Sequence, residues 1–142
     1  MNTFVVPWLP TLNPVGQEED VVPALAVILV GEGERLVEET FIIDSGADIS
    51  MASRRRCEEL GLDWSAGRPM TLHGIAARPE CAIEARVHEV EVIIPDAECS
   101  IVIPVCFADG DTTPLLGRLG FFDAFRIDLN KSQRTTTLEL LL

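Results

Sequence analysis

Residues 40–48 read Thr-Phe-Ile-Ile-Asp-Ser-Gly-Ala-Asp, and the fold is decided in this stretch. An apolar, β-rich run ends abruptly at a carboxylate, a hydroxyl and a glycine. A strand that ends in a turn can hold Asp44 in a fixed position for chemistry, although Asp-Ser-Gly is also a common turn sequence. Asp44 is therefore a candidate catalytic residue if the rest of the chain supplies what such a carboxylate needs.

The composition predicts one globular domain that binds neither nucleic acid nor membranes. The 142 residues suffice for a single domain with a core and are too few for two ordinary domains. The formal net charge is −12, and no basic stripe of the kind that binds nucleic acid is present in the sequence. The same acidity disfavours an anionic membrane surface.

The sequence predicts a cytoplasmic protein without a metal or cofactor. Its start lacks a positively charged targeting segment, and no apolar run reaches the length of a membrane span. The cysteines are widely spaced and form no Cys-x-x-Cys pair: Cys57, Cys81, Cys99 and Cys106. This spacing disfavours zinc binding, also with His73 and His88, and indicates small buried residues in a reducing compartment.

Hydrophobic periodicity predicts a mainly β fold. Residues 1–20, rich in proline, are expected to form an irregular N-terminal arm with at most a short edge strand at residues 4–7. Residues 21–142 are expected to form the domain. The apolar runs 24–30 and 36–43, joined by Gly-Glu-Gly-Glu, predict a hairpin whose second strand ends at Asp44.

Two short helical segments are predicted. Ser53 is a good N-cap for a helix that ends at Gly61, because glycine favours the left-handed conformation that terminates helices. A run of three arginines opens this helix and is expected to be a solvated face, or else a surface for an acidic partner. A helical turn is also expected at residues 121–125.

The remaining strands carry two irregularities. A strand at residues 70–73 precedes a small-residue turn, and residues 83–94 change phase after His88, which predicts a β-bulge or a hairpin turn. Pro104 interrupts the strand at residues 101–107 and should place it at an edge or bulge. Residues 135–142 form a final apolar, β-branched strand.

The order of these features resembles the retropepsin-like aspartic proteases, the retroviral-type single-domain peptidases with bacterial relatives. Residues 42–48 match the family's active-site signature of apolar residues followed by Asp-Thr/Ser-Gly-Ala. Residues 115–118, Leu-Leu-Gly-Arg, match its second signature, about seventy residues later. The resemblance covers roughly residues 20–130 and implies a single-domain, closed β-barrel-like acid-protease fold with one or two short helices, acting as an aspartic endopeptidase.

The chemistry of peptide hydrolysis predicts a homodimer. Two carboxylates are needed, one to deprotonate water and one to protonate or polarise the carbonyl group, and at close range they share one proton. The chain has one Asp-Ser-Gly and is too short for a two-lobed enzyme. The second carboxylate is therefore expected to be Asp44 of another copy, across a two-fold axis.

The resemblance assigns roles to the residues around Asp44. Ser45 would donate its hydroxyl to the facing loop of the partner, and Gly46 would let the substrate backbone approach. Asp48 would contact substrate and pair with Arg118, bracing the loop. The flap that closes over a peptide would lie at Gly74-Ile75-Ala76, and the C-terminal strand would join the dimer sheet, as terminal strands do in the viral enzymes.

Two other functions compete with an active peptidase. Asp-Ser-Gly also occurs around the nucleophile of trypsin-type serine hydrolases, but those need glycines on both flanks and a histidine before the serine. Here Ile43 and Ala47 flank the motif and both histidines follow it. The alternative that stays open is a catalytically silent retropepsin-like dimer that serves as a peptide-binding or assembly module.

Overall fold

A computed structural model of the chain describes residues 2–12, 19–72 and 82–141. Two short helices are present in this part of the chain, α1 (Arg54–Glu59) and α2 (Phe121–Ala124). The strands are β1 (Thr3–Pro7), β2 (Leu9–Leu12), β3 (Glu19–Val22), β4 (Ala24–Val30), β5 (Leu36–Ile43), β6 (Ser50–Ser53), β7 (Arg68–Leu72), β8 (Ile83–Ile94), β9 (Cys99–Ala108), β10 (Leu115–Leu116), β11 (Phe125–Asn130) and β12 (Thr135–Leu140).

The largest sheet closes on itself. Its order is β4-β5-β10-β6-β9-β8-β7, and a further pairing of β4 with β8 joins the first strand to the sixth. The inside is filled by fully buried apolar side chains such as Leu25, Phe41 and Phe107. The predicted mainly β, closed barrel-like fold with two short helices is confirmed.

The hairpin that leads to Asp44 is confirmed residue by residue. Strands β4 and β5 pair antiparallel from Ala24 with Ile42 to Val30 with Leu36. Their connection contains Gly33 with φ of +60°, a conformation that favours glycine. The buried residues of β5 are Phe41 and Ile43, so the apolar end of this strand lies in the core immediately before the candidate carboxylate.

The phase change in β8 is not a bulge or a turn. Strands β8 and β9 pair one to one without interruption from Ala85 with Ala108 to Ile94 with Cys99. The buried positions change because Ala85 and Val87 lie in a second apolar cluster, whereas Val90, Val92 and Ile94 lie in the main core. The strand therefore buries one face in its first half and the opposite face in its second half. In the sequence this change of face has the same pattern as an inserted residue.

Pro104 lies within an inner strand, not an edge strand. Strand β9 stands between β6 and β8, but it pairs with β6 only from Val105 to Ala108. Within the described residues, β8 alone pairs with β9 at Pro104. The missing N–H of proline is tolerated because it falls just outside the doubly paired segment.

A three-stranded sheet of order β1-β12-β11 lies beside the barrel. Strand β12 is its central strand, paired with β1 on one side and β11 on the other. Both edges of β12 are therefore occupied within one protomer, and its part in a dimer sheet stays a prediction.

The N-terminal arm is more regular than expected. Beyond β1, strands β2 and β3 pair antiparallel, from Leu9 with Val22 to Leu12 with Glu19. The indole N–H of Trp8 donates to the buried Thr136 hydroxyl at 3.1 Å and fixes the arm to β12. The division of the chain at residue 20 stays a prediction. In the described residues no helix is long and apolar enough to cross a membrane.

Candidate active site

Asp44 follows the last residue of β5 and is held by its backbone. Its N–H donates to the carbonyl of Leu116 at 3.0 Å, which extends the parallel pairing of β5 with β10 by one residue. The preceding N–H, of Ile43, donates to the carbonyl of Pro23 at 2.8 Å. The backbone of the candidate residue is thus fixed from both sides, while its side chain is half-buried.

Strand β10 lies between the two strands that the candidate loop connects. It pairs parallel with β5 and antiparallel with β6, through Leu115 and Met51 in the second case. Residues 44–49 must therefore cross two strand spacings, about 10 Å in all. Strand β10 therefore packs against the loop, so the Leu-Leu-Gly-Arg motif at residues 115–118 lies next to Asp-Ser-Gly in space.

The loop begins with a tight turn around the carboxylate. Oδ1 of Asp44 accepts the N–H of Gly46 at 2.8 Å, and the Asp44 carbonyl accepts the N–H of Ala47 at 3.2 Å. Ser45 and Gly46 are exposed, and the Ser45 hydroxyl makes no hydrogen bond within the described residues. One carboxylate oxygen is therefore oriented by the loop, next to an exposed hydroxyl.

Gly117 and Ser50 join the loop to β10. The N–H of Gly117 donates to the hydroxyl of the fully buried Ser50 at 3.0 Å. A Cβ atom at Gly117 would lie 2.5 Å from the backbone carbon of Ile49 and 2.9 Å from the carbonyl oxygen of Ala47. Only glycine allows this approach. The sequence gives no signal for this role of Ser50, because its partner Gly117 lies 67 residues later in the chain.

The structure brings Asp48 and Arg118 together. Their side chains form an ion pair between Oδ1 and Nη2, and both are exposed, at 86% and 57%. Two backbone hydrogen bonds run beside it, from Arg118 to the Ala47 carbonyl and from Leu119 to the Asp48 carbonyl, each at 2.9 Å. The two sequence motifs therefore meet through both backbone and side chains.

The predicted flap residues Gly74, Ile75 and Ala76 lie outside the described residues. The strands on either side are described: β7 pairs antiparallel with β8, from Arg68 with Val87 to Leu72 with Ile83.

A cleft lies elsewhere, around the start of α1. This arginine cleft, with a volume of about 540 Å³, is lined by Glu39, Ser53, Arg54, Arg55, Arg56, Glu58, Asp109, Gly110, Asp111, Thr112 and Pro114. Its arginines are matched by acids of the same chain: Arg54 with Glu58 and Asp109, Arg55 with Glu59, and Arg56 with Glu39 and Glu59. The hydrogen bond that the Arg56 guanidinium donates to the Glu39 carboxylate raises the pKa of Arg56.

Beneath this cleft, a cysteine and a histidine lie close together without forming a reactive pair. Sγ of Cys57 is 3.9 Å from Nε2 of His88. Burial raises the pKa of the Cys57 thiol to about 11, so the thiolate needed for a nucleophile is disfavoured. The described residues contain no group of three or more histidine, cysteine or acidic side chains that could hold a metal ion.

Comparisons with known proteins identify the fold. No family model and no curated protein matches the sequence. Among solved structures, the crystal structure of a retropepsin-like aspartic protease from Rickettsia conorii matches with a TM-score of 0.62 and 15% identity, over 97% of this chain and 99% of that one. The EIAV protease, complexed with the inhibitor HBY-793, matches with a TM-score of 0.47 and 20% identity, over 70% and 84%. The chain has the retropepsin-like fold.

Proposed function

We propose that this chain is an aspartic endopeptidase that hydrolyses peptide bonds through two Asp44 carboxylates, one from each subunit of a homodimer. The observation that supports it is Asp44 itself, held at the end of β5 by Leu116 and oriented by the N–H of Gly46, in a retropepsin-like fold. The neighbour of known fold is named as an aspartic protease, and the Asp-Ser-Gly loop stands where a strand delivers its carboxylate to the surface.

In the proposed reaction the two carboxylates share one proton and divide the work. The ionised carboxylate takes a proton from water as the water attacks the substrate carbonyl carbon, and the protonated carboxylate donates to the carbonyl oxygen. Collapse of the tetrahedral intermediate breaks the C–N bond. The leaving nitrogen takes a proton from one carboxyl group, and a hydroxyl of the intermediate gives its proton to the other carboxylate, so the pair again holds one shared proton. No metal or cofactor is needed for this sequence.

The neighbours of Asp44 have supporting roles in the proposal. The exposed Ser45 hydroxyl donates to the partner's loop, which accounts for a hydroxyl without a partner among the described residues of one protomer. Gly46 lets the substrate backbone approach, and the Asp48–Arg118 pair braces the loop. Gly74, Ile75 and Ala76 form the flap over the peptide.

Cleavage of a mixed peptide library tests the proposal. The full chain should cleave peptides at mildly acidic pH, and Asp44→Asn should lose between about a hundredfold and ten-thousandfold of that activity. Asp109→Asn is the matched control, because Asp109 is an exposed aspartate in the arginine cleft, paired with Arg54. Equal cleavage by the chain and by Asp44→Asn, or no cleavage from acidic to neutral pH, contradicts the proposal.

The dimer has its own test in sedimentation velocity. Each copy carries a net charge of −12, and the facing carboxylates must share a proton, so association should strengthen as pH falls from 7 to 5. Weaker association at pH 5 contradicts the two-fold arrangement. A dimer that binds peptides but cleaves none supports the alternative of a catalytically silent binding module.

A further inference from the structure

An exposed apolar patch lies on the outer face of the barrel, at the end of β5 that is farthest from Asp44. Residues directly opposite each other on paired strands share a face, and two such rows cross β5, β4, β8 and β9 in that order. The first row is Leu36, Val30, Glu91 and Val102, and the second row is Glu38, Ile28, Ile93 and Ser100. We call these two rows the outer patch.

The apolar side chains of the outer patch are open to solvent. Those at the two ends of the first row, Leu36 and Val102, are 62% and 64% exposed, and the others are half-buried. Their neighbours along the strands, such as Leu29 and Val92, point to the opposite face and fill the main core. Contiguous apolar surface of this kind marks an interaction site, whereas single exposed apolar residues do not.

The charged side chains of the outer patch are all acidic. Glu38 and Glu91 are exposed, and neither forms an ion pair with any residue that the structure describes. A hollow of about 320 Å³ opens beside Glu38 and is lined by Ala26, Glu38, Glu39 and Thr40. Ala26 and Thr40 are cross-strand partners, so the hollow continues the two rows. It has the size and the charge to take a lysine or arginine side chain.

The outer face of the three-stranded sheet shows what a solvated face of this protein looks like. Its row of Val5, Thr137 and Asp128 also contains an exposed valine and an exposed acid. There, however, the valine lies among polar residues, and Arg126 pairs with Glu139 across the strands of the same face. The outer patch differs in having several apolar residues together and acids without a cation.

We infer that the outer patch binds a basic amphipathic helix of another protein, with apolar side chains on Leu36, Val30 and Val102 and a lysine or arginine beside Glu38. The first row crosses three strand spacings, about 14 Å, which is the length of about nine or ten helical residues. A second copy of this chain is disfavoured, because two facing patches would bring unpaired carboxylates together. The same acids disfavour an anionic membrane.

Binding of a designed peptide to the full-length chain tests the inference. The probe is a fluorescent peptide of leucine and lysine, about fifteen residues long, whose leucines form one face of a helix. Leu36→Ser and Val102→Ser should each weaken its binding on the order of tenfold. Glu38→Gln should weaken binding about two- to fivefold and make it less sensitive to salt.

The candidate active site is separated from this test by a variant. Leu36 lies eight residues before Asp44, about 27 Å along an extended chain, so Asp44→Asn should bind the probe as tightly as the unsubstituted chain. The inference therefore does not depend on the proposed peptidase.

The three-stranded sheet supplies the matched controls. Val5→Ser and Asp128→Asn remove an exposed valine and an exposed acid there, and both should leave binding unchanged. A peptide with the same leucines and lysines in scrambled order, and one with glutamate in place of lysine, should bind on the order of tenfold more weakly or less. Urea unfolding curves show that each variant is folded.

The inference is overturned if Leu36→Ser and Val102→Ser bind the probe as tightly as the unsubstituted chain, if the control variants or Asp44→Asn weaken binding equally, or if the glutamate peptide binds as well. Sedimentation of the chain, alone and with phosphatidylserine vesicles, tests the other occupants. If Leu36→Ser and Val102→Ser abolish self-association or vesicle binding, the outer patch belongs to a second copy or to a membrane, and the inference is wrong.

Discussion

The candidate loop and the arginine cleft differ in how they hold charge. The loop presents one half-buried carboxylate and fixes it through the backbone of β10, with an exposed hydroxyl beside it. The arginine cleft has many more charged groups, yet its guanidinium groups are matched by carboxylates of the same chain. The arginines of this cleft are already neutralised within one chain, so they need no ligand or partner to balance their charge. Within the described residues Asp44 forms no ion pair, and in the proposed function a second copy completes the site.

Gly117→Ala is expected to give the largest effect on stability, because it breaks the support of the loop. The added Cβ atom would meet backbone atoms of Ile49 and Ala47, which cannot move without displacing the loop. We expect a loss of about 1–3 kcal/mol or more in the free energy of unfolding, measured in urea, together with loss of peptide cleavage.

Gly110→Ala, on the rim of the arginine cleft, is the matched control. Its nearest neighbour to an added Cβ atom is Cγ2 of Ile83 at 4.0 Å, so the change should be neutral or raise stability by about 0.4–1 kcal/mol. If both substitutions cost the same, the close approach at Gly117 does not hold the loop.

One ion pair in the arginine cleft and one at the candidate loop should differ in how much they stabilise the fold. In the cleft, Nε of Arg56 lies 2.6 Å from Oε2 of Glu39, and both side chains are largely buried. A double-mutant cycle with alanine should give a coupling of about 1–2 kcal/mol for this pair. The exposed Asp48–Arg118 pair should give about 0.2–1 kcal/mol.

The order of the two ion pairs should be reversed for peptide cleavage, where the exposed Asp48–Arg118 pair should matter more than the Glu39–Arg56 pair. Asp48→Asn should lower peptide cleavage by more than its small effect on stability explains, whereas Glu39→Gln should lower stability with cleavage per folded molecule unchanged. A larger coupling for Asp48–Arg118 than for Glu39–Arg56 would contradict the expected order of the two pairs. If Asp48→Asn leaves cleavage intact, the Asp48–Arg118 pair does not support catalysis.

An effect that depends on pH is expected at Cys57. Because burial raises the pKa of this thiol from 9.0 to about 11, the folded state holds the neutral form. That stabilisation is complete below about pH 9 and is lost as pH rises through about 11. In urea unfolding at pH 8, 9.5 and 11, the free energy of unfolding of the unsubstituted chain should fall more steeply with pH than that of Cys57→Ser. Identical slopes would mean that the thiol is not held neutral.

Local patterns in the sequence predicted the elements around the candidate site. The hairpin of β4 and β5, helix α1 with Gly61 at φ of +70°, and the apolar end of β5 are all set by neighbouring residues. The meeting of Asp48 with Arg118 also followed from the sequence, because a resemblance joined two distant motifs.

Other features that depend on distant partners, and that no motif links, could not be predicted from the sequence. Periodicity shows that a side of β8 is buried, but the change from one apolar cluster to the other looks like a bulge. The arginine run looked solvated because its partners, such as Glu39 and Asp109, lie far away along the chain. Ser50 and the central position of β12 were missed for the same reason.

The pairing of β1 with β12 has a consequence for how the molecule is made. Trp8 and Thr136, joined by a hydrogen bond, are 128 residues apart, so the first strand stays without its partner until almost all of the described chain has left the ribosome. Contacts of such sequence separation slow folding. Nascent chains therefore complete this sheet only after β12 has emerged, and until then β1 is an unpaired strand that a chaperone can hold.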